Sequence, residues 1–205
     1  MRCISESSKS DWSPYFNQDW RERLFDSLLL DKKARSVVFG KSSELALHDY
    51  LSGYFSIPNI EFSQICEDGY DFVIYGHPKL YQIRIEVKLV GENGKVNLDA
   101  RDKAKRGASL VATHKRLNNS FDILAVCMFN VTRNWLDFAF IASVNLQAER
   151  IPGDKSNLYF KSTVVVSWPP SYPFSKNLDE VIGHCNPDNN RRDPQLPIDF
   201  APMSS

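Results

Sequence analysis

Three side chains in one short stretch carry the chemistry this sequence can offer: Asp71, Glu86 and Lys88. They lie between Glu67 and Leu89, in EDGYDFVIYGHPKLYQIRIEVKL, where two alternating runs flank the turn signal Gly76-His77-Pro78-Lys79. That pattern predicts a β-hairpin. A four-residue loop pairs Tyr75 with Leu80 and sets Asp71 opposite Arg84, so Asp71 lies diagonal to Glu86. Diagonal neighbours are roughly 7 to 8 Å apart at the backbone, close enough for two carboxylates to share a divalent cation. Lys88 projects from the same face two residues beyond Glu86. Carboxylate oxygens hold a hard cation such as Mg²⁺, which polarises a phosphate and lowers the pKa of a bound water. A neighbouring ammonium orients that water or neutralises developing charge. An Asp, with Glu-x-Lys on the next strand, is the set that metal-dependent phosphodiester hydrolysis requires.

Alternation also assigns the faces of the hairpin. Asp71, Val73 and Tyr75 share one with Leu80, Gln82, Arg84, Glu86 and Lys88, and that face collects the charges. Phe72, Ile74, Tyr81, Ile83, Ile85, Val87 and Leu89 form the other, almost wholly apolar. A slip of one residue would drive Glu86 and Lys88 among Phe72 and Ile74, so the pattern specifies the pairing. Glu-x-Lys on an amphipathic strand is common as an ordinary solvated face; the functional reading rests on its combination with Asp71 at hairpin distance.

Gly69-Tyr70-Asp71, the hairpin, and Glu86-Val87-Lys88 within a run of isoleucines and valines resemble the PD-(D/E)XK nuclease superfamily. The resemblance covers about 44–145, and Tyr70 stands where the family name has proline. It implies an α/β fold with a restriction-endonuclease-like core, a central mixed sheet flanked by helices in αβββαβ order. It also implies an Mg²⁺-dependent endonuclease acting on DNA, with Mn²⁺ able to substitute. Asp71 and Glu86 would hold the metal, the Val87 carbonyl would be a further ligand, and Lys88 would position the attacking water. A restriction or defence endonuclease fits the chain's size better than a minimal junction resolvase. The alternatives are a recombination or repair nuclease of the same fold, or a nuclease-like subunit that binds nucleic acid or a protein without cutting. Enzymes of this fold often act as homodimers, which the residues here neither require nor exclude.

The elements that must position these residues begin with a packing helix over about 14–34, opened by Ser13-Pro14 and carrying Trp20, Leu24 and Leu28 at helical spacing. Ser42 and Ser43 offer N-cap oxygens for a second helix ending near Gly53, with Leu47, Tyr50, Leu51 and Tyr54 as its apolar stripe. Glu44 falls along that stripe, where a carboxylate is unfavourable without a partner. Many members of the superfamily carry a metal-binding glutamate on this helix. The plainer account is an acidic residue complementing a helix dipole in a first turn. Glu67 and Asp68 read as solvent-facing and turn residues.

Beyond Lys88 the chain turns at Gly91-Glu92-Asn93-Gly94, and a helix is expected from about Leu98 to Thr113. Arg101, Lys105 and Arg106 fall near one face of it, with Lys115 and Arg116 at its end. This basic set could lie over DNA phosphates or be an ordinary solvated face. Phe121 to Phe129 is a continuous apolar run, as in a strand buried on both faces, and Trp135 to Val144 gives another strand. Leu158 to Trp168 reads as one more, at an edge. Seven prolines after Trp168 predict a loop or wrapping arm over 169–205, leaving 1–168 as the single domain with its core at about 40–146.

A chain of 205 residues can bury a real core, and a net charge of zero leaves any nucleic-acid affinity to local patches. Cys3, Cys66, Cys127 and Cys185 are scattered without zinc spacing, which suits reduced thiols in the cytoplasm. The first residues lack the apolar run of a signal peptide, and no stretch is long enough to span a bilayer, so no membrane partner is expected.

Overall fold

The computed structural model describes residues 18–54, 61–67, 70–76, 82–98, 117–150 and 157–185. It is a mixed α/β structure built on one five-stranded sheet. Two helices come first, α1 (Gln18–Leu30) and α2 (Lys32–Tyr54). The strands β1 (Glu61–Glu67), β2 (Tyr70–Tyr75), β3 (Gln82–Leu89), β5 (Ile123–Cys127) and β6 (Phe138–Ala142) form the sheet in the order β1-β2-β3-β5-β6. The first three are antiparallel, β3 and β5 are parallel, and β6 returns antiparallel to β5. A parallel pair requires a crossover connection, and the chain between β3 and β5 makes it. The helix expected over 98–113 falls in this connection, outside the described residues except for buried Leu98.

Two hydrophobic layers cover the sheet. Phe72, Ile74, Ile83, Ile85 and Val87 pack against Ala46, Leu47 and Leu51 of α2. On the opposite side Val73, Leu124, Val126, Ala139 and Ile141 meet Val96, Leu98, Phe121, Phe160 and Val166. All five residues of β5 are buried, which is why its sequence alternates nothing. β6 is an edge strand, and Ser175 covers that edge by exchanging backbone hydrogen bonds with Phe140 at 2.8 and 2.9 Å.

The hairpin forms with a different register from the expected one. Tyr75 pairs with Gln82 and Val73 with Arg84, a shift of two residues that lengthens the connection. Gly76 opens the turn with φ of 75°, a conformation that favours glycine. A shift of two preserves parity, so every side chain keeps its face. The charged face is not solvated, however, because Val73, Gln82 and Glu86 on it are buried.

Other elements depart from expectation for local reasons. α2 is one continuous helix of 23 residues, so Ser42 and Ser43 are interior and not its N-cap. Asp31 has that role, its Oδ1 accepting from Ala34 N at 2.7 Å. Ser43 is buried and donates instead to the Gly40 carbonyl at 2.7 Å. α1 lies beside α2 and is not laid into the core, since Phe25 is 49% exposed and Leu30 88% exposed. The 158–168 segment is two short strands, β8 (Tyr159–Phe160) and β9 (Thr163–Val165), paired with β7 (Ala148–Glu149) and β4 (Lys95–Asn97) in separate small sheets. A single turn of helix, α3 (Phe129–Thr132), joins β5 to β6, and the proline-rich region yields α4 (Leu178–Ile182), capped by Asn177 Oδ1 accepting from Asp179 N at 2.9 Å. Leu178, Val181 and Ile182 enter the same layer as α2. No helix among the described residues is long and apolar enough to cross a membrane.

Candidate active site

The last registered pair of β2 and β3 is Phe72 with Ile85, and one further step places Asp71 across from Glu86. Arg84 turns its carbonyl toward β5, where it accepts from Asp122 N at 2.9 Å. The backbone of Ile85 and Val87 therefore faces β2, and Asp71 with Glu86 occupies a position of the kind without mutual backbone bonds. There opposed side chains approach most closely. Extending the register thus sets the two residues opposite one another along the backbone, nearer than the expected diagonal.

Asp71 is half-buried, and its Oδ2 accepts from Val87 N at 2.8 Å. The carboxylate caps the strand edge where β2 stops pairing. A strand residue's N–H and C=O project to the same edge, so the Val87 carbonyl is directed to that side as well. Glu86 is buried at 2% exposure, and its Oε1 accepts a hydrogen bond from the Lys88 ammonium. Lys88 is not submerged: 27% of its side chain remains exposed.

Glu44 is carried by α2, which packs on the Phe72 face of the sheet, opposite the face of Glu86 and Lys88. Its carboxylate accepts from Lys41 Nζ at 2.8 and 2.6 Å and from Gln64 Nε2 of β1 at 3.2 Å. Burial raises the Glu44 carboxyl above its ordinary pKa, the nearby negative charge of Asp71 raises it further, and Lys41 opposes both. Gln64 is the cross-strand partner of Phe72, so Glu44 stands beside the residue next to Asp71. Glu44 sits well inside α2, so complementing a first-turn dipole does not explain it.

Arg84, expected opposite Asp71, is committed elsewhere. Its backbone N donates to Asp122 Oδ2 at 2.8 Å, and its guanidinium reaches the same carboxylate at 3.1 Å through Nε and again through Nη2. Asp122 is 3% exposed, so this two-pronged pair is a buried clasp between β3 and β5. Asp122 heads an apolar run, and its charge there was the available signal for a partner. Gln64 offered no such signal. Arg101, Lys105, Arg106, Lys115 and Arg116 lie outside the described residues.

Hard oxygen donors suit Mg²⁺, and Asp71, Glu86 and the Val87 carbonyl supply them on one strand pair. Among the described residues, no three Asp, Glu, His or Cys side chains converge closely enough to form a ready cation cage. Each carboxylate is met by a donor of its own chain instead: Val87 N–H, Lys88, or Lys41 with Gln64. The donor chemistry fits a hard dication, and the arrangement is that of a self-neutralised set. The chain matches no family model, and it has no significant match among curated proteins or solved structures.

Proposed function

We propose that this protein is a metal-dependent endodeoxyribonuclease with a restriction-endonuclease-like core, acting as a restriction or defence endonuclease. The observation that carries the reading is the placement of Asp71 and Glu86 on adjacent strands one step beyond the Phe72–Ile85 pair, with Lys88 on Glu86 and Glu44 on Gln64, the cross-strand partner of Phe72. The element order supports it too: a helix, three antiparallel strands, then a strand parallel to the third. Asp71, Glu86 and the Val87 carbonyl would hold the ion, with Glu44 as a further ligand directly or through water.

A bound Mg²⁺ supplies Lewis-acid polarisation of the phosphate and a more acidic water. The chain's own residues do the remaining work. Val87 N–H fixes the orientation of the Asp71 carboxylate, so the ligand is placed before any substrate arrives. Lys88, partly exposed beside Glu86, can donate to the attacking water or to a non-bridging phosphate oxygen. The bond formed joins water oxygen to phosphorus; the bond broken is the P–O ester on the opposite side, and the leaving alkoxide takes up a proton. Resemblance to the superfamily implies that the 5′-phosphate stays on the product.

A second reading is favoured by the absence, among the described residues, of a three-carboxylate cage: a subunit that binds DNA without cutting. Incubation with supercoiled plasmid, with and without Mg²⁺, separates the two. The enzyme reading expects Mg²⁺-dependent nicking or linearisation that disappears in Glu86→Ala and Lys88→Ala. Intact plasmid under all conditions, with DNA still bound, establishes the non-cutting subunit instead. Parallel incubation with RNA tests whether the substrate class is right.

A further inference from the structure

Lys41 has no role in the reading above, yet it is the described cation held directly on Glu44. Its ammonium touches both carboxylate oxygens, at 2.8 and 2.6 Å, three residues before Glu44 on the same helix. The two partners differ in exposure: the Lys41 side chain is 56% exposed and that of Glu44 only 14%. Glu44 is therefore fixed in the wall of the site, while Lys41 reaches in from solvent. Gln64 Nε2, at 3.2 Å, gives Glu44 a second donor that remains if Lys41 leaves. An exposed lysine stem is flexible, and ion pairs of this i, i+3 kind are weak, so the ammonium exchanges partners readily. Gln64, which bonds Glu44, is paired across β1 and β2 with Phe72, the neighbour of Asp71, so Lys41 stands beside the proposed cutting centre.

We propose that Lys41 is a DNA phosphate contact, held on Glu44 in the free protein and transferred to a phosphate of the duplex when DNA binds. This rests on the endonuclease reading for the choice of ligand, but its consequence is one of binding. Glu44 and a phosphate compete for the same ammonium. Removing Lys41 weakens binding and eliminates one counterion-releasing contact. Neutralising Glu44 frees the ammonium, reduces local negative charge and strengthens binding.

The test is equilibrium binding of the full chain to a labelled DNA duplex, in chelator so that no cleavage occurs, across a salt series. Lys41→Gln is expected to weaken binding several-fold and to reduce the slope of log K against log salt by about 0.9, one phosphate's worth on duplex DNA. Lys41→Arg is expected to retain the wild-type slope, and Glu44→Gln to bind more tightly than wild type. A purely structural surface pair would change the melting temperature of Lys41→Gln and leave slope and affinity alone; that result, or weaker binding by Glu44→Gln, overturns the proposal. Failure of the endonuclease reading looks different: the wild type binds with the Lys41-dependent slope but leaves plasmid intact in Mg²⁺. A wild-type chain that binds no duplex overturns both.

Discussion

Replacing Asp71 by asparagine separates the structural work of this residue from its chemical work. The asparagine side chain has the same shape and keeps an oxygen for the Val87 N–H, bonded at 2.8 Å in the wild type. A hydrogen bond to a charged acceptor contributes about 1.5–3 kcal/mol and a neutral one about 0.5–1.5 kcal/mol, so Asp71→Asn should cost about 1 kcal/mol. For a chain of this size that is a fall of about 2–4 °C in Tm. The loss of the charge removes half of the opposed carboxylate pair. An ion present at about 100 times its Kd stabilises the wild type by about 2.7 kcal/mol, an upward shift of about 5–11 °C, and most of this should vanish in the variant. Cleavage should slow by about 10²–10³, the range seen when one group stabilising charge in a transition state is removed. Thermal denaturation with and without Mg²⁺, followed by single-turnover cleavage, measures both. An Asp71→Asn protein that is stabilised by Mg²⁺ and cuts as the wild type does refutes the assignment of Asp71.

The Arg84–Asp122 clasp should be structural: Asp122→Ala leaves a largely buried guanidinium unpaired and is expected to cost about 3–5 kcal/mol in urea unfolding, whereas an effect under about 1 kcal/mol contradicts it. The raised Glu44 carboxyl binds its proton more tightly folded than unfolded. Its contribution to stability is therefore full below the unfolded pKa and lost as pH rises through the folded one. Without divalent cation, Glu44→Gln should thus become more favourable relative to wild type as pH rises from below the ordinary carboxylate range through the raised folded titration, with a net change within about 1 kcal/mol because the Lys41 pair is also lost; the reverse trend in urea midpoints disproves the environment described. Burial pushes the Cys127 thiol up to about 11 and that of Cys185 up to about 12. Mass spectrometry after brief thiol labelling of the native protein at about pH 8 should leave both unmodified, and rapid reaction at either shows that its layer is open.

What was legible from sequence follows from what period-two patterning encodes. Alternation fixed which residues of the hairpin share a face, because a slip of one residue inverts every side chain. It is blind to a slip of two, and the register differs from expectation by that amount. Extended one step past Phe72–Ile85, that register sets Asp71 opposite Glu86 where counting back from the turn placed Arg84. Helix limits misled in a similar way: Ser43 is a good N-cap by composition, yet its hydroxyl is satisfied inside the helix by the Gly40 carbonyl, and Asp31 does the capping. α4 was hidden by the density of prolines around it, although none lies within Leu178–Ile182 and its apolar residues are buried. The charge of Asp122 in an apolar run signals a partner but not which one, because Arg84 lies 38 residues earlier and only the parallel pairing of β3 with β5 brings them together.

The burial of several negative groups in one corner demands a physical reason, and the contacts supply it. Glu86 is nearly inaccessible and Glu44 largely so, and burying an unanswered carboxylate costs several kcal/mol. Each is answered by a lysine close in sequence, Lys88 at i+2 and Lys41 at i−3, while Asp71 is answered by a peptide N–H. Lysine neutralises without dictating geometry, since a compact ammonium on a flexible stem gives up one oxygen partner for another at little cost. Two arginines in the same places would fasten the carboxylates rigidly, as Arg84 fastens Asp122. The charged residues of this sheet therefore divide into two kinds. The arginine pair locks β3 to β5, and the lysine pairs keep the acidic corner folded yet open to exchange. On the endonuclease reading, Asp71, Glu86 and Glu44 would hold a dication that would supply the neutralising charge, and Lys88 and Lys41 would then be available to the phosphates of the DNA.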